Sequence, residues 1–167
     1  QQLQHHNIEK YYLEVLQGNH HAVSIYSKKG FSVQREYSVL TASGPGQGWN
    51  NHIAVIPYQD FTSFSTRFSV EPSFEHTSYT INQNPQLFEV LYLNDQAYCI
   101  YAKRHGEIIQ MHYNELDALK DVVSALINRY PSAMAKNIDC ACCDVIQMLI
   151  DIGFVEITKQ YEMARTI

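Results

Sequence analysis

In the stretch NHHAVSIYSKKGF, Asn19, Ala22, Tyr26, Gly30 and Phe31 recur at spacings of 3, 4, 4 and 1. Spacings of three and four place Asn19, Ala22 and Tyr26 on one helix face, and glycine supplies the left-handed residue that ends a helix. Tyr26 is the member with chemistry to offer: a phenol stays protonated at neutral pH and donates where negative charge develops. The same spacing also serves an amphipathic helix that merely packs a tyrosine.

The four cysteines, Cys99, Cys140, Cys142 and Cys143, crowd three into CACC. Such crowding suits a reducing compartment better than a disulfide framework. A zinc site would need a second pair of ligands, and only His112 could fold against the cluster, so no metal site is expected and the thiols read as buried small hydrophobes. The doublets His5-His6 and His20-His21 read as solvated helix-face residues. The glycines of TASGPGQGWNN, residues 41–51, do not spell G-x-G-x-x-G, and no helix follows at once, so they mark a linker rather than a phosphate cradle.

The surrounding elements must position these groups. IEKYYLEVL, residues 8–16, is β-branched and aromatic enough for a buried strand. Asn19 is the expected N-cap of the following helix, Lys28 and Lys29 suit its last turn, and FSVQREYSVL alternates as a second strand. Past the glycine-rich stretch, HIAVIP is a short strand, and the Phe-rich YQDFTSFSTRFS and PSFEHTSYTIN read as helical or irregular. QLFEVLYL, QAYCIYAKR and EIIQMHY follow as strands joined tightly enough for an antiparallel meander. NELDALKDVVSALINRYP is the clearest helix, with Asn114 as its expected cap, Leu116, Leu119, Val123, Leu126 and Ile127 along one face, and Pro131 as its stop. AMAKNIDC, CDVIQMLIDIGF and VEITKQYEM then read as strand, helix and strand.

Shifting the chain against itself by 123 positions lays Gly30-Phe31 over Gly153-Phe154, YYLEVL over MAKNID, and SVQREYSV over VEITKQYE. A strand, helix, Gly-Phe, strand unit therefore occurs twice, which reads as a duplication. Where the first copy carries Asn19, Ala22 and Tyr26, the second carries Cys142, Val145 and Leu149. The polar handle is missing from the second copy.

Twelve Lys and Arg against 17 Asp and Glu give a formal net charge of −5, with neither sign gathered into a block. Nucleic-acid and membrane partners are therefore not expected. No apolar run approaches the roughly 20 residues of a bilayer span, and the start lacks a secretory signal's order, so the chain reads as soluble and cytoplasmic. It has 167 residues, 46% of them hydrophobic, and opens without Met almost directly into a strand, as if the numbering began inside a domain.

LEVLQGNHHAVSIYSKKGFSVQREY resembles the C-terminal motif of the GNAT acetyltransferase superfamily, roughly L-x-V-x-x-x-N-x-x-A-x-x-x-Y-x-x-x-G-F, at Leu13, Val15, Asn19, Ala22, Tyr26, Gly30 and Phe31. The resemblance implies an α+β acyl-CoA N-acyltransferase fold, a mixed central sheet flanked by helices, preceded here by a partial strand-helix-strand unit. Residues 1–42 would be the C-terminal part of one GNAT domain, 43–51 a linker, and 52–167 a degenerate second GNAT-like domain. It further implies acetyl transfer from acetyl-CoA to a primary amine on a small molecule or peptide. Tyr26 would be the general acid that protonates the departing thiolate, and Asn19 a contact to the CoA arm. The family's pyrophosphate grip, (Arg or Gln)-x-x-Gly-x-(Gly or Ala), is absent from the chain, and its place in the second unit is taken by MHYNELDAL, whose acids would repel a diphosphate. The resemblance thus implies a piece poorly active by itself, its first unit completed by an oligomeric partner or a missing N-terminal segment. The alternative is a non-catalytic GNAT-like binding or assembly module.

Overall fold

The computed structural model describes residues 9–46, 52–61 and 69–166. Within them the chain runs β1 (Lys10–Leu16), α1 (His20–Lys28), β2 (Ser32–Ala42), β3 (Ala54–Pro57), α2 (Ser78–Gln83), β4 (Phe88–Leu93), β5 (Ala97–Ala102), β6 (Glu107–Tyr113), α3 (Leu116–Arg129), β7 (Met134–Asp139), α4 (Cys143–Asp151) and β8 (Phe154–Thr166). The Phe-rich run contributes 3-10 turns at Tyr58–Asp60 and Phe74–His76 as well as α2. Ile8, the His5-His6 pair, residues 47–51 of the glycine-rich stretch and residues 62–68 lie outside the described residues.

The strands form one sheet in the order β1-β8-β2-β7-β6-β5-β4-β3. Side chains alternate across it, as a pleated strand requires. Leu91, Leu93, Cys99 and Tyr101 join the main core with α3 and α4, while Val90, Tyr98 and Ile100 pack on the other side against Ile81 of α2. The meander β4-β5-β6 is antiparallel as expected. β6 and β7 run parallel, and α3 provides the crossover that a parallel pair needs. Their pairing is confined to Glu107↔Met134 and Ile108↔Ala135.

α3 buries Leu119, Val122, Val123, Leu126 and Ile127, but Asn114 does not cap it. Glu115 holds the N-cap position without a side-chain bond, while the Asn114 carboxamide donates to the Asp95 carbonyl at 2.6 Å and its backbone N–H donates to Gln96. The turn between β4 and β5 competes successfully for that side chain.

β1 and β2 flank α1 in sequence, yet β8 lies between them, antiparallel to both. β2 in turn lies between β7 and β8. Each unit's last strand is thus built into the other unit's strand pair, and the two cannot part without breaking three ladders, β1–β8, β8–β2 and β2–β7. The helices stand 123 residues apart at both ends, 20 against 143 and 28 against 151. Their entries match as well: Asn19 has φ −86° and ψ 66°, Cys142 φ −85° and ψ 58°. Gly30 and Gly153 follow them at φ 86° and 108°, a region that a Cβ disfavours. Tyr37 pairs with Gln160, its own counterpart under the shift, and the pair Arg35↔Glu162 is matched by Val39↔Thr158. A local twofold axis therefore passes through the Tyr37–Gln160 pair.

The described part of the glycine-rich stretch, residues 43–46, is held against the rest. The Ser43 hydroxyl donates to Gly153 O at 2.9 Å, the Gly44 N–H donates to Pro131 O at 3.2 Å, and a Cβ at Gly46 would meet Ser124 O of α3 at 2.5 Å.

Candidate active site

α1 begins where expected. The Asn19 Oδ1 accepts from the Ala22 N–H at 3.1 Å, satisfying one of the orphan donors of the first turn. Tyr26 lies two turns further along the same face, its ring edge-on to Phe31 at 5.9 Å. α1 buries none of its residues, whereas α4 buries Val145, Met148 and Leu149, the counterparts of Ala22, Ile25 and Tyr26. Leu149 is fully sealed in the core at 0% exposure, while Tyr26 is only partly covered and its hydroxyl has no hydrogen-bond partner among the described residues. Asn19 is exposed, so its carboxamide NH2 remains open to solvent.

A second polar group lies beside the twofold axis. The Asn137 Nδ2 donates to both Glu14 oxygens at 2.9 Å and to Ser73 Oγ at 3.1 Å. Glu14 and Asn137 are themselves counterparts, 123 residues apart. Next to them Glu162, 2% exposed, accepts from Arg35 Nε and Nη2 at 3.0 Å each and from the Tyr37 hydroxyl at 2.8 Å. Arg35 reaches on to the carbonyls of Glu71 and Pro72, so it also ties the segment before the Phe74–His76 turn to the sheet. A groove of about 530 Å³ runs alongside, lined by Tyr12, Phe74, Arg35 and Glu162 among others. Tyr12 and Phe74 stack within it, their ring centres 5.9 Å apart.

Burial, then the neighbouring Glu75 carboxylate, push the Glu14 carboxyl up to about 7, against the pull of its bonds to Asn137 and Ser73; Glu162 adds a smaller upward push. The folded state then holds a proton more tightly than the unfolded chain. Stability is therefore lost as pH rises from about 4.5 to about 7. Glu14 is partly exposed, so solvent screening reduces the penalty to about 1–2 kcal/mol. Urea titrations at pH 5 and pH 8 should show Glu14→Gln losing less stability over that interval than the parent by about this amount. Equal losses would mean that the carboxyl titrates as an ordinary surface group. Glu75 and Glu162, the charged groups that act on Glu14, are unchanged in the comparison.

None of this cluster was among the residues first singled out. The signal available in the sequence was the 123-residue shift itself, which aligns two polar residues, Glu14 and Asn137, at the same position of two matched strands.

Where β6 and β7 part, the Tyr113 hydroxyl donates to Asp144 Oδ2 at 2.9 Å, joining the end of β6 to the first turn of α4. Glu115, Asp117 and Asp121 line the groove at the start of α3, together with His52 and Gln96. Of the cysteines, Cys99 is buried as expected, but Cys140 and Cys142 are half-buried and Cys143 is exposed. The CACC stretch forms the turn into α4: Cys142 packs against the edge of the main core, while Cys143 stays outside it. His20 and His21 are exposed. Among the described residues no three His, Cys, Asp or Glu side chains gather as a metal site, and no helix is long and apolar enough to cross a membrane.

A mixed sheet with one short parallel pair, flanked by helices, is the architecture of the acyl-CoA N-acyltransferases of the GNAT class, as the resemblance implied. Solved structures bear this out. A candidate acetyltransferase from Pyrococcus horikoshii superposes with a TM-score of 0.76 at 7% identity, over 99% of this chain and 56% of that one. GCN5-related N-acetyltransferases from Anabaena variabilis and Sphaerobacter thermophilus superpose at TM-scores of 0.53 and 0.51, each 11% identical; they match 98% and 94% of this chain and 47% and 59% of their own. The chain thus spans roughly half the length of the structures it matches. At such identities the likeness establishes the fold. No protein-family model and no curated protein sequence matches the chain.

Proposed function

We propose that the chain is a portion of a GNAT-type N-acetyltransferase that moves an acetyl group from acetyl-CoA to a primary amine on a small molecule or peptide. The observation that carries this reading is the divergence of Tyr26 and Leu149 within matched frames. Cap angles and glycine stops agree, yet one side chain is polar and accessible and the other apolar and sealed. A helix that served only packing would gain by burying position 26 as α4 buries position 149.

Acetyl-CoA, when bound, supplies the acyl group and a thiolate as leaving group. The Tyr26 hydroxyl holds the proton that a thiolate takes up, and no competing acceptor engages it among the described residues. Asn19, about 10 Å away along the helix axis, is the proposed contact to the CoA arm. The second unit is read as a duplicated GNAT-like unit without acetyl-CoA binding. The Tyr113–Asp144 bond and the acids at the start of α3 support this, since carboxylates at a helix N-terminus compete with a diphosphate for the same positive end. Its contribution is structural: β8 completes the sheet around β1 and β2.

The family's pyrophosphate grip is not among these 167 residues, so the chain by itself is expected to bind CoA weakly. Calorimetric titration of CoA into the natural protein at full length tests the proposal. One saturable site per polypeptide is the expected result. Absence of saturable heat would end the acetyltransferase reading, and two sites would return acetyl-CoA binding to the second unit.

A further inference from the structure

We propose that Glu14, Asn137 and Ser73 form a receptor for a primary ammonium group, built jointly by the two strand-helix-strand units and the segment before the Phe74–His76 turn. The inference deepens the acetyltransferase reading and rests on it in one respect, that the ammonium is the acceptor's.

Charge compensation around the twofold axis is uneven. Glu162 has a bidentate arginine and a tyrosine hydroxyl, whereas Glu14 has no cationic partner among the described residues and is bonded by Asn137 and Ser73. Arg35, the nearby cation, is committed to Glu162 and to two backbone carbonyls. Glu75 and Glu162 both add negative potential at Glu14. A carboxylate so placed favours a proton or a cation as its partner.

Asn137 supplies an independent observation. It is 4% exposed and sits at φ 57°, a backbone conformation that few non-glycine residues adopt and that is retained where the surroundings demand it. Its Nδ2 serves Glu14 and Ser73, while its Oδ1 is buried with no hydrogen-bond partner. Buried carbonyl oxygens without a donor are rare, and such an exception marks a place where a donor is wanted. Glu14, half-open to solvent, stands in front, with Asn137 and Ser73 buried behind it.

The stoichiometry fits one chemical class. A primary ammonium carries three N–H donors, and this cluster offers three acceptors: a Glu14 oxygen, the Asn137 Oδ1 and a free lone pair on Ser73 Oγ. A divalent metal would want more oxygen ligands than these, and no group of three His, Cys, Asp or Glu side chains forms among the described residues. The groove lined by Arg35, Glu162, Tyr12, Pro72 and Phe74 passes the two residues that flank Ser73 in the chain, and the Tyr12–Phe74 stack within it suits a hydrocarbon tail.

The test is an NMR titration of the 167-residue chain at pH 8 with n-butylamine hydrochloride, followed by the Asn137 side-chain amide and the backbone amides of β1. Saturable shifts are expected, with n-butanol producing none and n-butyltrimethylammonium, which has no N–H, binding at least about tenfold more weakly. Glu14→Gln should weaken butylammonium binding by at least about tenfold. Asn137→Gly should do the same, and glycine tolerates the positive φ, so the fold is kept. Overlapping amide spectra away from β1 and β7 would verify that. Absence of saturable shifts overturns the proposal, as does equal binding by the quaternary ion or indifference to both substitutions. None of these outcomes bears on CoA binding by the full-length protein, so the acetyltransferase reading stands or falls separately.

Discussion

Arg35→Ala should destabilise the fold by about 3–5 kcal/mol in urea unfolding at pH 7, the cost of leaving a buried charge without its partner. Glu162 is 2% exposed, and its two oxygens take two of their three side-chain bonds from the guanidinium. Alanine would leave Tyr37 as the remaining donor to a carboxylate that water scarcely reaches. The same change releases the carbonyls of Glu71 and Pro72 and uncovers one face of Tyr37, over which the guanidinium sits at 5.1 Å. The paired change Arg35→Leu with Glu162→Leu should recover most of the loss, because removing both charges leaves nothing to desolvate. A deficit below about 1 kcal/mol for Arg35→Ala would place the pair among screened surface ion pairs. It would also remove the clamp between the two units at their axis.

That clamp shows what a linear reading reaches. The bounds of α1 were legible because Asn19 and Gly30 act on their immediate neighbours, and an N-cap and a left-handed stop are local chemistry. The meander from Phe88 to Tyr113 was legible for the same reason, since short turns leave adjacent strands few other arrangements. Neighbourhood in the rest of the sheet was not. Alternation tells which side chains share a face, not which strand lies alongside, so nothing in SVQREYSV or VEITKQYE announces that these counterparts pair with each other. Asn114 misled because its side chain has two nearby uses, helix cap and turn partner, and the turn wins by tertiary placement. Cys143 misled because burial was assigned to a residue type, while the cysteine stands in the exposed first turn of α4. Glu14 and Asn137 were hidden for a further reason. A polar residue in a strand ordinarily faces solvent, and only the interlocked topology folds these two toward each other.

In the full-length protein Tyr26→Phe should lower turnover at least about tenfold, the lower end of what a positioned proton donor contributes. The substitution removes one oxygen and nothing else. The ring keeps its edge-on contact with Phe31, and the lost hydroxyl had no hydrogen-bond partner among the described residues, so folding stability should stay within about 0.5 kcal/mol. A donor that acts as the thiolate departs is required in the transition state and not in the ground state. Kcat and kcat/KM for acetyl-CoA should then fall together while KM stays near its parent value. Tyr26→Leu, which copies the second unit's Leu149, should lose turnover at least as fully, although leucine is well suited to this helix face. A core tyrosine predicts the reverse, little change in turnover and a measurable change in stability. Parental turnover in Tyr26→Phe would take the phenol out of the chemistry and leave α1 as a scaffold. A rise in KM with kcat unchanged would instead make Tyr26 a binding contact, engaged equally before and during the reaction.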